Sequence, residues 1–468
     1  MIEEYLGLQI DRDRDTQFTA AGLSRLTEGY MIDGETSPQH RFAFVSKTFS
    51  SNPEHAQRLY DYSSKMWLSY ATPVLSYGKT KRSLPVSCYA SALGDSMTSL
   101  LETSSETRML AVVGGGVGLH VRLRPGDKKS SGIIPHLKTY DMDTLAYKQG
   151  TTRRGATAAY LDIDHPEIID FLEMRKPTGG DPNRKCLNLH HGINVTDDFM
   201  HRIEQLSLSD DLTSAQKEEL NRFPLVNPHT QEVAEYVSAT EVWERILTIR
   251  METGEPYIWF IDAANRHLPE FQKKLGLRNY GSNLCSEISL ATKAADASGP
   301  ARTFVCCLSS VNLEKYDEWK DNPQFIADIV EMLDNVLTVF IEKSKQFPEL
   351  SAATYSAERE RSIGIGAMGW HALLQKRGVP FESSLAVGLN KQIWSKMHAQ
   401  AMIKNTMLAE ERGPCPDSDS DVVIEFEDGH TINIKGSDKV TIMRDGVQTT
   451  TRAFTLLETD DFLECYGT

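Results

Sequence analysis

The sequence predicts an α/β protein with a helical N-terminal region and a small β-rich C-terminal tail. Three observations predict it. Between residues 84 and 200, short β-type runs such as Pro85–Ala90 and Val117–Leu123 alternate with helical or loop segments, with glycine punctuation at Gly114-Gly115-Gly116 and Gly155. Ahead of that region, apolar positions from Ser37 to Ser69 recur at helical spacing. Beyond Cys415-Pro416-Asp417, Val422–Phe426, Thr431–Ile434 and Val440–Met443 alternate like strands and are separated by Asp428-Gly429, Gly436 and Asp445-Gly446. The expected division is therefore a helical region over 1–75, an α/β portion over 76–416 and a β-hairpin module over 417–468.

Each element has a local reason. Val242, Trp243, Ile246 and Ile249 share one face of a helix over 240–253. A second helix is expected from Pro323 to Lys345, where Ile326, Ile329, Val330, Leu333, Leu337 and Phe340 follow the same period. Pro323 near its start costs nothing, because the first N–H groups of a helix have no partner within it. Residues 206–240 are polar and read as a surface excursion. No internal repeat is present.

Composition narrows the function classes. Hydrophobic residues make up 40% and charged residues 25%, ordinary values for a soluble globular protein. No run approaches the roughly 18 apolar residues that span a bilayer. The N-terminus, Met1-Ile2-Glu3-Glu4, is acidic and has no apolar signal core, so a cytoplasmic location is expected. A net charge of −15 argues against nucleic-acid binding, which needs clustered cations to neutralise phosphates. It leaves room for phosphorylated small molecules in a local cationic pocket. The seven cysteines are odd in number, widely spread and form no C-x-x-C pair, which speaks against a disulfide scaffold and a structural zinc site.

Chemistry concentrates around three of those cysteines. Asn283-Leu284-Cys285-Ser286-Glu287 places an amide, a thiol and a carboxylate at alternating positions, and in an extended segment the three side chains face the same way. A thiol is a good hydrogen-atom donor, and a nearby carboxylate can take a proton from a hydroxyl. Cys306 follows in Phe304-Val305-Cys306-Cys307-Leu308-Ser309-Ser310-Val311-Asn312-Leu313. Cys88 lies in Val86-Ser87-Cys88-Tyr89, ahead of Gly94-Asp95-Ser96.

The Asn-x-Cys-x-Glu motif, the Cys-x-Leu-Ser-x-x-Asn-Leu strand, and the Ser-Cys strand followed by Gly-Asp-Ser resemble, in order, those of ribonucleotide reductase large subunits. Arg361–Trp370 resembles a further barrel strand of that family, and Glu411–Pro416 the segment after it. The likeness runs from about residue 37 to 417. It implies a ten-stranded α/β barrel, about seven strands of which are identifiable, with a finger loop through its centre. It also implies the roles. Cys285 becomes a transient thiyl radical that removes the 3′ hydrogen of the ribose. Glu287 is the base on the 3′ hydroxyl and Asn283 hydrogen-bonds the substrate. Cys88 and Cys306 are the reducing dithiol. Ser87 and Gly118 touch the substrate. Cys186 and Cys307 have no role in the scheme. Two thiols on neighbouring strands suit disulfide geometry, whose Cα separation is roughly 5.5–6 Å.

The same resemblance assigns an effector site to Asp95 and Ser96, with a first connecting loop near Arg122 and Arg124 and a second at Gln149–Ala156, containing Arg153. Arginine suits this work, because its planar fork pairs with phosphates and base edges. No cofactor is expected to bind this chain directly. The radical would come from a dimetal small subunit or from adenosylcobalamin, class I being favoured over class II. Further expectations are an external thiol reductant, dNTP or ATP effectors and a homodimer.

Two departures from the family bear on these expectations. The chain starts too close to the barrel for an N-terminal ATP cone, which puts on–off control in doubt. A Pro-Thr/Ser phosphate loop, a Tyr-Tyr pair and a C-terminal Cys pair are not found, so a second polypeptide is expected to complete the barrel. Val422–Glu464 loosely resembles the start of self-splicing Hint domains without their His near Asp438, and reads as a degenerate remnant or a docking module. The competing reading is a non-catalytic fragment that binds nucleotide and a partner.

Overall fold

The computed structural model describes residues 2–147, 155–209, 211–296 and 299–418, together with the backbone of five strands beyond them. The chain divides into two compact units: Tyr77–Cys306 with Phe340–Ala357, and Met1–Ser76 with Cys307–Val339 and Glu358–Thr468.

The first of these is built on a six-stranded sheet. Its strands are β1 (Cys88–Gly94), β2 (Gly116–Arg122), β3 (Ala156–Asp162), β4 (His190–Val195), β5 (Tyr257–Phe260) and the two-residue β6 (Phe304–Val305). They lie in the order β5-β4-β3-β2-β1-β6. The first five run parallel, and β6 pairs with β1 antiparallel. Parallel strands need crossovers, supplied here by helices such as α1 (Met97–Val112) and α2 (Ile133–Ala146). Alternation sorts the side chains. Leu93, Leu119, Val121, Ala159, Leu161, Ile193 and Val195 pack on one face against Ile133, Leu137, Phe171, Phe199 and Ile246. The other face carries Cys88, Gly118, His120, Tyr160 and Asn194.

In the second unit, Cys307–Asn312 pairs parallel with Ile363–Met368 and antiparallel with Leu68–Tyr70. The helices Pro38–Thr48 and Pro53–Ser64 supply the expected amphipathic stretch. Each has a side-chain N-cap, from Ser37 and Asn52, and a proline in its first turn. The helix expected over 323–345 runs from Phe325 to Ser344, with Ile326, Ile329, Val330, Leu333 and Leu337 buried.

The structure corrects three expectations. Ile2–Tyr5 and Leu8–Asp11 form an antiparallel hairpin inside the region read as helical, its turn made at Leu6 and Gly7 with positive φ. The polar excursion at 206–240 contains the helix Ser214–Asn221 and a hairpin, and Phe223 and Leu225 of that hairpin enter the core. The motif Cys306–Leu313, read as a strand, forms one only over Cys307–Asn312; Phe304–Val305 belongs to a different sheet, and Cys306 lies between the two. In the tail, strands are observed at Asp421–Glu425, Thr431–Lys435, Lys439–Arg444, Val447–Arg452 and Asp461–Tyr466. Among the described residues, no helix is long and apolar enough to cross a membrane.

Candidate functional site

The site forms where the segment Tyr280–Ile288 lies across the polar-lined face of the sheet. Three strands, β4, β2 and β3, fasten it. The Asn194 side-chain amide donates to the Tyr280 carbonyl at 2.9 Å. His120 Nε2 lies 2.9 Å from the Ser282 carbonyl and Nδ1 lies 2.8 Å from the Thr292 hydroxyl. The carbonyl can only accept, so Nε2 carries the proton and Nδ1 accepts from Thr292. The Tyr160 hydroxyl donates to the Asn283 carbonyl at 2.7 Å. Within the segment, the Ser282 hydroxyl donates to the Ile288 carbonyl at 2.6 Å and closes the loop on itself.

Two glycines make the approach possible. A Cβ at Gly118 would stand 2.0 Å from the Ser282 carbonyl oxygen, and one at Gly281 would stand 2.7 Å from the His120 ring. Gly281 also has φ +152°, a backbone conformation that side chains disfavour.

At the loop's centre the backbone turns. Ser286 has φ +67°, and its N–H reaches the Asn283 carbonyl at 3.3 Å. The expected extended segment, with Asn283, Cys285 and Glu287 on one face by alternation, is therefore replaced by a turn. Asn283 is fully buried, whereas Cys285 and Glu287 are exposed. The Asn283 amide donates to the Cys88 sulfur at 2.9 Å, and its side-chain oxygen accepts from the backbone N–H groups of Glu287 and Ile288, both at 3.1 Å. The Tyr257 phenol is raised by burial first, then by the Glu255 carboxylate.

Cys88 and Cys306 are cross-strand neighbours. Tyr89 pairs with Val305, and one step further the Cys306 N–H donates to the Cys88 carbonyl at 2.9 Å. Directly opposed residues of a hydrogen-bonded antiparallel pair stand about 5.5 Å apart at Cα, which is the separation a disulfide bridges. Cys88, Cys285 and Cys306 are all in the thiol form. The other buried thiols are held protonated: burial pushes Cys186 up to about 12 and raises Cys307 further, and Cys307 donates to the Leu333 carbonyl.

The remaining predicted residues fall at strand ends. Ser87 precedes β1 and its carbonyl accepts from the Gly116 N–H at 2.7 Å. What stands in front of Gly118 is the loop backbone at Ser282, which gives that glycine a packing reason. Asp95, just past β1, accepts from the Arg124 backbone at 3.3 Å and pairs with its guanidinium at 3.2 Å. Ser96 caps α1 by accepting from the Ser99 N–H at 3.1 Å. Arg122 pairs with Asp162 and lies over the Tyr280 ring, 4.5 Å from its centre, so it braces the root of the loop. Gln149 and Arg153 lie outside the described residues. His120, Tyr160, Asn194 and Tyr257 were missed in the sequence, where nothing marks them as more than strand residues. Their alternation on β2 to β4, at His120, Tyr160 and Asn194, is the one signal that was available. Among the described residues, no group of His, Cys, Asp and Glu side chains could hold a metal ion.

Comparison with known proteins gives this geometry a family. Residues 86–439 match the ribonucleotide reductase barrel domain, and residues 16–83 match the ribonucleotide reductase all-alpha domain. The chain is 45% identical to the ribonucleoside-diphosphate reductase large subunit of Invertebrate iridescent virus 3, over 88% of this chain and 70% of that one. It is 28% identical to the large subunit of Arabidopsis thaliana, over 87% of this chain and 54% of that one. Among solved structures, the Actinobacillus ureae class Id ribonucleotide reductase alpha subunit matches with a TM-score of 0.68 and 27% identity, over 87% of this chain and 69% of that one. The chain thus spans between about half and seven-tenths of the length of these relatives.

Proposed function

The chain belongs to the ribonucleotide reductase large-subunit family, and we propose that it reduces ribonucleoside diphosphates to deoxyribonucleotides through a radical on Cys285. The observation that carries this reading is the convergence on Asn283. One side chain touches the Cys88 sulfur and fixes the backbone on which Glu287 stands, two residues beyond Cys285.

In this reading the Cys285 thiyl takes the 3′ hydrogen atom from the ribose and becomes a thiol. Glu287 accepts the proton of the 3′ hydroxyl. The 2′ hydroxyl leaves as water with a proton from the thiol pair. Cys88 and Cys306 supply two electrons and, besides the proton that leaves in the water, the hydrogen that C2′ gains; they end as a disulfide, and Glu287 returns its proton to the 3′ oxygen. The hydrogen atom then returns to C3′ and restores the radical. An external thiol resets the pair. Asn283 and Cys306 are buried, and Cys285 and Glu287 stand on the exposed side from which a substrate would approach.

The radical comes from a separate small subunit, as class I chemistry requires. Support for class I is the likeness to a class Id alpha subunit. Asp95, Ser96 and Arg124, together with Gln149 and Arg153, form the effector site. A second copy of the chain is the natural cover for Met97 and Leu101 on α1 and Met142 and Leu145 on α2, large apolar side chains that are each 45% exposed or more. The portion of the relatives' length that this chain does not span is assigned to a companion segment, in the same or another polypeptide.

The test is Cys285→Ala, assayed with a radical-generating subunit and a dithiol. Loss of diphosphate reduction with retained dNTP binding is expected. Reduction that persists would sink the mechanism.

A further inference from the structure

We propose that Glu106 is a positioning residue for the thiol pair: its carboxylate clamps β1 to β6 from the face opposite the cysteines and so holds Cys88 against Cys306. The inference rests on reading those two cysteines as the reducing dithiol.

The register makes the case. Ala90 pairs with Phe304 and Tyr89 with Val305, so Ser91 stands opposite Thr303 just as Cys88 stands opposite Cys306. The two pairs are three residues apart along each strand, which puts them on opposite faces. The Ser91 and Thr303 hydroxyls are 3.0 Å apart. Glu106, reaching in from α1, accepts from Thr303 at 2.5 Å and from Ser91 at 3.3 Å through one oxygen, and from the Ala353 N–H at 3.1 Å through the other. Both strands are thereby tied to a single carboxyl group.

That tie matters because the strand it holds is short. The strand β6 has only two residues. Behind Ser91 and Thr303 lies a cavity of about 1000 Å³, bordered also by Thr103, Lys293 and Tyr355, so this side is not closed by apolar packing. Slippage of one residue would move Cys306 to the wrong face of the sheet and end disulfide formation. Glu106 touches neither substrate nor sulfur; it acts through the strands.

The experiment follows the Cys88–Cys306 disulfide by peptide mass across oxidised-to-reduced glutathione ratios. Each disulfide formed turns one oxidised glutathione into two thiols, the two cysteine protons and two electrons passing to it. Glu106→Ala and Thr303→Val should each shift the equilibrium toward the dithiol by about ten-fold, the effect of one or two lost hydrogen bonds. Glu106→Gln, which keeps the length and the Ala353 contact, should recover most of it. Thermal unfolding run alongside identifies the folded variants, and if Glu106→Ala does not fold, Thr303→Val decides. Folded variants with an unchanged equilibrium would overturn the proposal, because a merely structural carboxylate moves stability and leaves the thiol pair alone. A parent chain that forms no Cys88–Cys306 disulfide at any ratio would overturn the dithiol reading, and this inference with it.

Discussion

Asn283 and Cys88 are 195 residues apart in the chain, yet the amide of one donates to the sulfur of the other at 2.9 Å. The contact joins the two halves of the chemistry. The loop that carries Cys285 and Glu287 and the strand that carries Cys88 are fixed by the same side chain. Asn283 can do this because its amide has both a donor and an acceptor end. The donor goes to sulfur, and the acceptor gathers two backbone N–H groups that the turn would otherwise leave unbonded.

Asn283→Ala should therefore cost more than a substrate contact. Unbonded N–H groups at Glu287 and Ile288 carry a penalty of about 1–3 kcal/mol, roughly ten- to hundred-fold in turnover if it is borne in the transition state. Steady-state diphosphate reduction measures this. Effector affinity, read by equilibrium binding of a dNTP, should stay within about two-fold, since Asp95 and Arg124 make no contact with the loop turn.

Gly118→Ala tests the seating of the loop. The new methyl would stand 2.0 Å from the Ser282 oxygen, so the loop must lift. A displacement of about 1 Å is worth on the order of a hundred-fold in rate. The sheet beneath is unaffected by that contact, so far-ultraviolet circular dichroism should match the parent. The rate of Cys285 alkylation should rise as the loop loosens. An active Gly118→Ala protein with parental alkylation would contradict this account of the loop.

The motifs at Cys88, Asn283–Glu287 and Cys306 were legible in the sequence because their chemistry depends on residue type and order. The α/β class was legible because Gly-punctuated apolar runs alternate with helices. What escaped was everything set by register. Nothing local says that His120 and Tyr160, on neighbouring strands, face the same stretch of backbone at Ser282 and Asn283, or that Glu106 reaches both Ser91 and Thr303. Alternation was the right rule for β2 and the wrong one for 283–287, because the left-handed residue at Ser286 breaks the extended chain. The break at Cys306 was invisible for a related reason: no glycine or proline marks it within Phe304–Leu313, and only the partners decide that the segment serves two sheets.

Tyr160→Phe isolates one fastening. The hydroxyl donates to the Asn283 carbonyl at 2.7 Å, and burial keeps it protonated by raising its pKa well above the usual tyrosine value. Removing it leaves the Asn283 carbonyl with only the longer bond from the Ser286 N–H. A loss of about 1 kcal/mol or somewhat more is expected in urea unfolding. The kinetic consequence should be a fall in kcat of a few-fold with KM nearly constant, as the loop rather than the nucleotide pocket is weakened.

Acid should release the loop through His120. Its ring is wholly buried, and that burial pushes its pKa down to about 4, against a smaller opposing pull from the Ser282 carbonyl. The unfolded ring titrates near 6.5, so between pH 6.5 and 4 the unfolded chain binds the extra proton and the folded chain does not. The stability associated with neutral His120 is therefore complete above pH 6.5 and is lost as pH falls toward 4. The full loss is about 3 kcal/mol at about 1.4 kcal/mol per unit. Protonation would also turn Nδ1 from acceptor to donor and set it against the hydrogen of the Thr292 hydroxyl, which must then rotate away. His120→Gln has no such titration. Urea midpoints measured at pH 7.5 and 4.5 should fall further for the parent than for His120→Gln, and equal falls in the two proteins would show that His120 is not the group that responds.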